Sequence, residues 1–182
     1  MKNILKAFFA GTFLLSAAFA QHNDPYTSGA PNENRLIKDI RHELLMLPYY
    51  GVFDDLAFSV DGTAVTLVGQ AVRPTLRSDA ENVVKHIEGV TSVVNKIEVL
   101  PLSPNDDRIR MATYRAIYGD SALSARYGYR ALPSIHIIVN NGNIRLEGVV
   151  ANEGDRNIAG IRANGVFGVF SVKNDLQVEK HG

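Results

Sequence analysis

The chain has 182 residues, 46% of them hydrophobic and 21% charged, an ordinary composition for one globular domain or two small ones. It has no cysteine, which excludes a disulfide, a thiolate metal site, a cysteine nucleophile and a lipid-anchored N-terminal cysteine. Nineteen Lys and Arg balance nineteen Asp and Glu, so the basic excess of a nucleic-acid binder is absent.

Residues 1–20 read as a signal peptide. Lys2 and Lys6 form a positive start, Ala7–Leu15 a short apolar run, and Ala18-Phe19-Ala20 a small-x-small cleavage site. The apolar run is shorter than the roughly 20 residues a spanning helix needs. Cleavage after Ala20 is expected, giving a soluble periplasmic chain that starts at Gln21. Residues 21–103 carry 7 basic and 11 acidic side chains, net −4, and residues 104–182 carry 10 and 8, net +2. An anionic partner would therefore meet the second half.

After a flexible lead over residues 21–32, "NRLIKDIRHELLML" places Leu36, Ile37, Ile40, Leu44 and Leu47 on one helical face, and Pro48 helps to end the helix. Two short strands follow, joined at Asp61-Gly62, a strong hairpin signal that predicts a type I′ turn. "TLRSDAENVVKHIEG" then predicts a second helix with Leu76, Ala80, Val83, Val84 and Ile87 on its apolar stripe. "SVVNKIEV" closes the set as a strand, with Asn95 on its apolar parity.

This order repeats. Displaced by 79 residues, 58–100 align with 137–179 without a gap, and 11 of 43 positions are identical, among them Gly69/Gly148, Arg77/Arg156 and Asn95/Asn174. The second hairpin turns at Asn141-Gly142. The expected architecture is α+β: two tandem α-β-β-α-β modules, each a three-stranded mixed sheet covered on one face by two helices. Each asparagine is read as a side-chain clip to nearby backbone at the start of the last strand, and each glycine as a close backbone approach or a bend.

The strings "GTAVTLVGQAV…R…GVTSVVNKIEV" and "GNIRLEGVV…R…GVFGVFSVKNDLQV" resemble the BON domain, named for bacterial osmotically inducible and nodulation proteins. The resemblance divides the chain into a first module over 33–100, a linker over 101–104 and a second module over 105–180. It implies a non-enzymatic protein of envelope maintenance or osmotic-stress protection, associated with phospholipid surfaces. The alternative is an adaptor that binds another envelope protein.

No motif for covalent, metal or cofactor chemistry is present. His22, His42, His86, His136 and His181 do not pair at metal-ligand spacing. Asp54-Asp55 read as loop residues, and Asp106-Asp107 as first-turn carboxylates suited to the helix dipole.

The sharpest local feature is the first helix of the second module. Ser103 is a candidate N-cap, with Pro104 behind it and Asp106 at N3. Ile109, Ala112, Thr113 and Ala116 form one face, while Met111, Tyr114, Arg115 and Tyr118, with Arg108 beside them, form the other. Tyr and Arg together are frequent interface anchors. That face is read either as a docking surface for anionic lipid headgroups or an envelope protein, or as packing against the first module. The following segment, Gly119–Ser134, reads as a long loop that adds Arg126, Tyr127, Tyr129 and Arg130, either as recognition elements on the candidate surface or as ordered packing.

Overall fold

The structure is a computed structural model that describes residues 31–130 and 132–179. The proposed signal peptide lies outside the described residues. The first module runs α1 (Pro31–Leu45), β1 (Asp55–Asp61), β2 (Ala64–Ala71), α2 (Pro74–Lys85), β3 (Ser92–Asn95) and β4 (Glu98–Val99). The second runs α3 (Pro104–Tyr118), α4 (Ser121–Tyr127), β5 (Ile135–Asn140), β6 (Asn143–Val150), α5 (Glu153–Asn164), β7 (Ser171–Asn174) and β8 (Gln177–Val178).

In each module the hairpin is antiparallel and the closing segment pairs parallel to its second strand, in two pieces. Leu36, Ile40, Leu44 and Leu47 of the α1 region meet Val65, Leu67, Leu76, Ala80 and Val84 in one core. Ile109, Ile117, Ile137, Ile144, Leu146, Ala159 and Ala163 meet in the other. The 3.6-residue and 2-residue periodicities thus converge on one sheet face per module.

The recurrent asparagine ends β3 and β7 instead of starting the closing strand. Asn95 Nδ2 donates to the carbonyl of Arg77 at 2.9 Å, and Asn174 Nδ2 to that of Arg156 at 2.8 Å. Asn95 Oδ1 accepts from Ile97 N at 3.1 Å. The side chain so bridges helix to strand and bonds the turn that splits the strand in two. Asn95 gives its amide a second acceptor, Glu81, at 3.1 Å. The repeat position of Glu81 is Gly160, where a Cβ would lie 2.8 Å from Asn174 Nδ2. Gly69 and Gly148 have φ of 119° and 113°, and a Cβ would fall 2.1 Å from the Asp55 carbonyl oxygen and 2.0 Å from that of Ser134. Both glycines are thus close backbone approaches.

The hairpins differ. Asn141 and Gly142 both have positive φ, as a type I′ turn requires. In the first module Asp61 pairs with Ala64, so the turn residues are Gly62-Thr63, and only Gly62 is at positive φ. That is the pattern of a type II′ turn, and it corrects the expectation of type I′.

The two modules dock through the segment between α1 and β1. Val52 O accepts from Ile137 N at 2.7 Å, and the Asp54 carbonyl accepts from His136 Nδ1 at 2.6 Å. The rings of Tyr50 and His136 stack at 5.7 Å, and Phe53 meets Tyr114 edge-on at 6.2 Å. Across the two sheets, Arg145 donates to Gln70 Oε1 at 2.6 Å. All of β5 from Ile135 to Val139 is buried, on both faces. Half-buried Asp55 and Glu147 have carboxyls pushed up by burial, and the negative charge of Asp55 adds to the shift at Glu147.

Candidate functional site

One end of the second module is built by three segments. Ser103 Oγ accepts from Asp106 N at 3.2 Å and starts α3. The Asp106 carboxylate accepts from Asn141 N at 2.9 Å and Gly142 N at 2.8 Å, tying the helix start to the β5–β6 turn. Phe170 N donates to the carbonyl of that same Gly142 at 2.9 Å, and Ser171 Oγ donates to Asn143 Oδ1 at 2.7 Å. The α5–β7 turn is thereby fixed to the hairpin. Its two phenylalanines point outward: Phe167 is 92% exposed and Phe170 is 83% exposed. Gly168, between them, lies beside the Arg108 guanidinium, which donates to Asn105 at 2.6 Å. Along α3 the exposed side chains Arg108, Met111 and Arg115 continue the surface. Leu102, just before the helix, is 95% exposed.

The nine residues singled out in sequence divide into two groups. Arg108, Met111, Arg115, Arg126, Tyr129 and Arg130 are exposed. Tyr118 and Tyr127 are buried, and Tyr114 is half-buried against the second core and Phe53. The reason is the edge of β5. Tyr118 Oη donates to the Ile135 carbonyl at 2.7 Å, and burial pushes its hydroxyl up. Buried Arg110, which the two-faced reading left out, donates to the Val139 carbonyl at 2.8 Å and to Asp107 at 2.5 Å. The inner face of α3 is therefore Asp106, Ile109, Arg110, Thr113, Ile117 and Tyr118. Tyr114 packs against Phe53 of the first module, whereas Tyr118 is buried within the core of its own module.

The segment after α3 is not a long loop. Asp120 caps α4, accepting from Ala122 N at 3.0 Å and Leu123 N at 3.3 Å. Tyr127 at its end donates to buried Asp155 at 2.6 Å and accepts from Ala151 N at 2.8 Å. Arg126 pairs with Asp155. This cluster joins α4 to α5. The Val72 amide, which occupies the repeat position of Ala151, is met by Asp54 Oδ1 at 2.7 Å instead.

Sequence reasoning missed Phe167 and Phe170. The signal lay in the repeat: the equivalent residues of the first module are Glu88 and Thr91. Two polar turn residues in one copy have become two aromatics in the other.

Among the described residues no group of three or more His or acidic side chains could hold a metal, and no helix is long and apolar enough to cross a membrane. The architecture is that of a tandem repeat of α-β-β-α-β modules. The chain belongs to the BON domain family, whose model matches residues 33–101 and again 105–180. It is 30% identical over 132 residues to osmotically-inducible protein Y of Escherichia coli (strain K12), a match that covers 69% of this chain and 62% of that protein. Among solved structures it is similar to CdsD, a structural protein of the type III secretion system of Chlamydia trachomatis, at 13% identity and a TM-score of 0.32, covering 80% of this chain and 92% of that one. The C-terminal domain of CdsD matches at 15% identity and a TM-score of 0.28, covering 80% and 98%.

Proposed function

We propose that this protein is an exported, non-enzymatic envelope protein of osmotic-stress protection. In this reading it works in the periplasm by associating with anionic phospholipid surfaces. The observation that carries the lipid reading is the pair Phe167 and Phe170, exposed on a braced turn beside Arg108. Exposed aromatics on a rigid turn suit insertion at the headgroup level, where burying each phenylalanine is worth about 1.5–3 kcal/mol. Arg108 and Arg115 on the adjoining helix supply positive charge for phosphate. The family and the name of the E. coli relative support the stress-protection reading.

The test is flotation of the chain from Gln21 onward with vesicles of phosphatidylglycerol and phosphatidylcholine. Wild type is expected to float with the anionic vesicles, and the Phe167→Ser/Phe170→Ser variant to remain at the bottom. Equal flotation of the two proteins removes the tip from the reading. Failure of both to float removes the lipid itself.

A further inference from the structure

The two modules treat the outer edge of their first strand differently. In the second, one outward backbone group on each of Ile135, Ile137 and Val139 of β5 is met. Ile135 O takes the Tyr118 hydroxyl, Ile137 N gives to Val52 O, and Val139 O takes Arg110. Strand β1 has the same register, with Phe58 opposite Leu67 as Ile137 is opposite Leu146. Leu67 gives its carbonyl to Lys96 N at 2.8 Å, on the β3 side. Its partner Phe58 therefore turns its backbone away from β2, and Val60, two residues on, does the same. Among the described residues no hydrogen bond reaches the outward N–H and C=O groups of Phe58 and Val60. An open strand edge of this kind is a template for another chain.

Charge selects the occupant. Exposed Asp61 ends β1, half-buried Asp55 begins it beside His136 and Arg145, and residues 21–103 carry a net −4. A second copy paired antiparallel about Phe58 would set Asp55 against Asp61, and like charges directly opposite destabilise a sheet. A strand with basic ends meets no such penalty.

We propose that the outer edge of β1 receives an extended, basic-ended peptide segment of a partner protein, which adds as a further strand by backbone pairing with Phe58 and Val60. This site lies in the first module and is independent of the lipid reading.

Amide exchange on the full mature chain tests it, with the synthetic heptapeptide Lys-Val-Thr-Val-Thr-Val-Lys as probe. In the free protein the Phe58 and Val60 amides should exchange rapidly, and the Ile137 amide slowly. Saturating peptide should slow Phe58 and Val60 by about tenfold or more and leave Ile137 unchanged. A glutamate-ended peptide, and one N-methylated on its pairing residues, should each bind about tenfold more weakly. Val60→Pro should weaken binding similarly, and the N-methylated peptide gives the same information on unaltered protein. Equal binding of the N-methylated peptide, or protection appearing on β3 or β7 instead, overturns the proposal. So does protection of Phe58 and Val60 in the free chain. If deletion of residues 21–30 removes that protection, the occupant is the chain's own N-terminal segment. If dilution removes it, the occupant is a second copy.

Discussion

Asn174 donates its side-chain amide to the carbonyl of Arg156 at 2.8 Å, the contact that Asn95 makes with Arg77 in the other module. Donor and acceptor residue types are identical in both copies. Each bond joins the helix that follows the hairpin, α2 or α5, to the point where the closing strand breaks. Asn95→Ala and Asn174→Ala should each cost about 1–3 kcal/mol, because the Arg carbonyl and the amide two residues on both lose a partner. Denaturant midpoints measure this. Asn95→Ala also removes one of Glu81's two partners and leaves Lys85, so Asn95→Ala/Glu81→Ala should differ from the sum of the two single variants by about 0.5 kcal/mol or more.

The repeat, the helix faces and the asparagine clip were legible because each rests on local periodicity or on a 79-residue self-comparison. The inner face of α3 was not. Arg110 and Tyr118 are polar or amphipathic, so spacing alone places them outside, yet they are buried to satisfy carbonyls of an edge strand 29 and 17 residues away, respectively. That need exists only once the sheet has formed. Helix α4 is 7 residues long, too short for a periodic signal. Phe167 and Phe170 were legible in principle, through comparison with Glu88 and Thr91.

Tyr118→Phe should destabilise the chain by about 1–3 kcal/mol, since it keeps the ring and removes the partner of a buried carbonyl. Tyr118→Ser should cost more, about 3–5 kcal/mol, because a packed aromatic is lost from the core as well. Thermal or urea unfolding separates the two. A Tyr118→Ser variant as stable as wild type is incompatible with the edge-capping role.

Gly148→Ala should cost several kcal/mol. A Cβ there would sit 2.0 Å from the Ser134 carbonyl oxygen at a φ of 113°, so the β5–β6 pair must separate locally to admit it. The control is Gly154→Ala, near the start of α5, where the nearest atom is an Asn152 side-chain oxygen 3.0 Å away and φ is not positive. Similar stability of the two variants would refute the close-approach account.

The carboxyls at the module interface set the pH response. Burial raises Asp54, Asp55 and Glu147 above their ordinary values. The folded state therefore binds their protons at higher pH than the unfolded state does. Stability linked to them should rise as pH falls from neutrality toward the unfolded values near pH 4. Asp120, held low by Arg162, and Glu81, held low by Lys85, act in the opposite sense. Their contribution is present above pH ~4 and is lost on further acidification. Asp55→Asn/Glu147→Gln should flatten the upper limb and leave the acid limb in place. An unchanged upper limb in that variant would assign it to other groups.

The final prediction separates charge from wedge at the tip of the second module. Phe167 is 92% exposed, so Phe167→Ser should shift unfolding by no more than about 0.5 kcal/mol. Phe170 rests on Gly142, its ring 2.6 Å from where a Cβ would be, so Phe170→Ser should cost slightly more. Arg108→Ala/Arg115→Ala should weaken vesicle binding most at low salt, because exposed charges are screened beyond about 8 Å at physiological ionic strength. The phenylalanine variants should weaken binding at all salt concentrations, since burial of apolar area is not screened. Flotation across a salt series reads the difference. If the arginine and phenylalanine variants show the same salt slope as wild type, with equal losses, the two sets act as one surface. If only the arginines matter, the phenylalanines do not enter the bilayer.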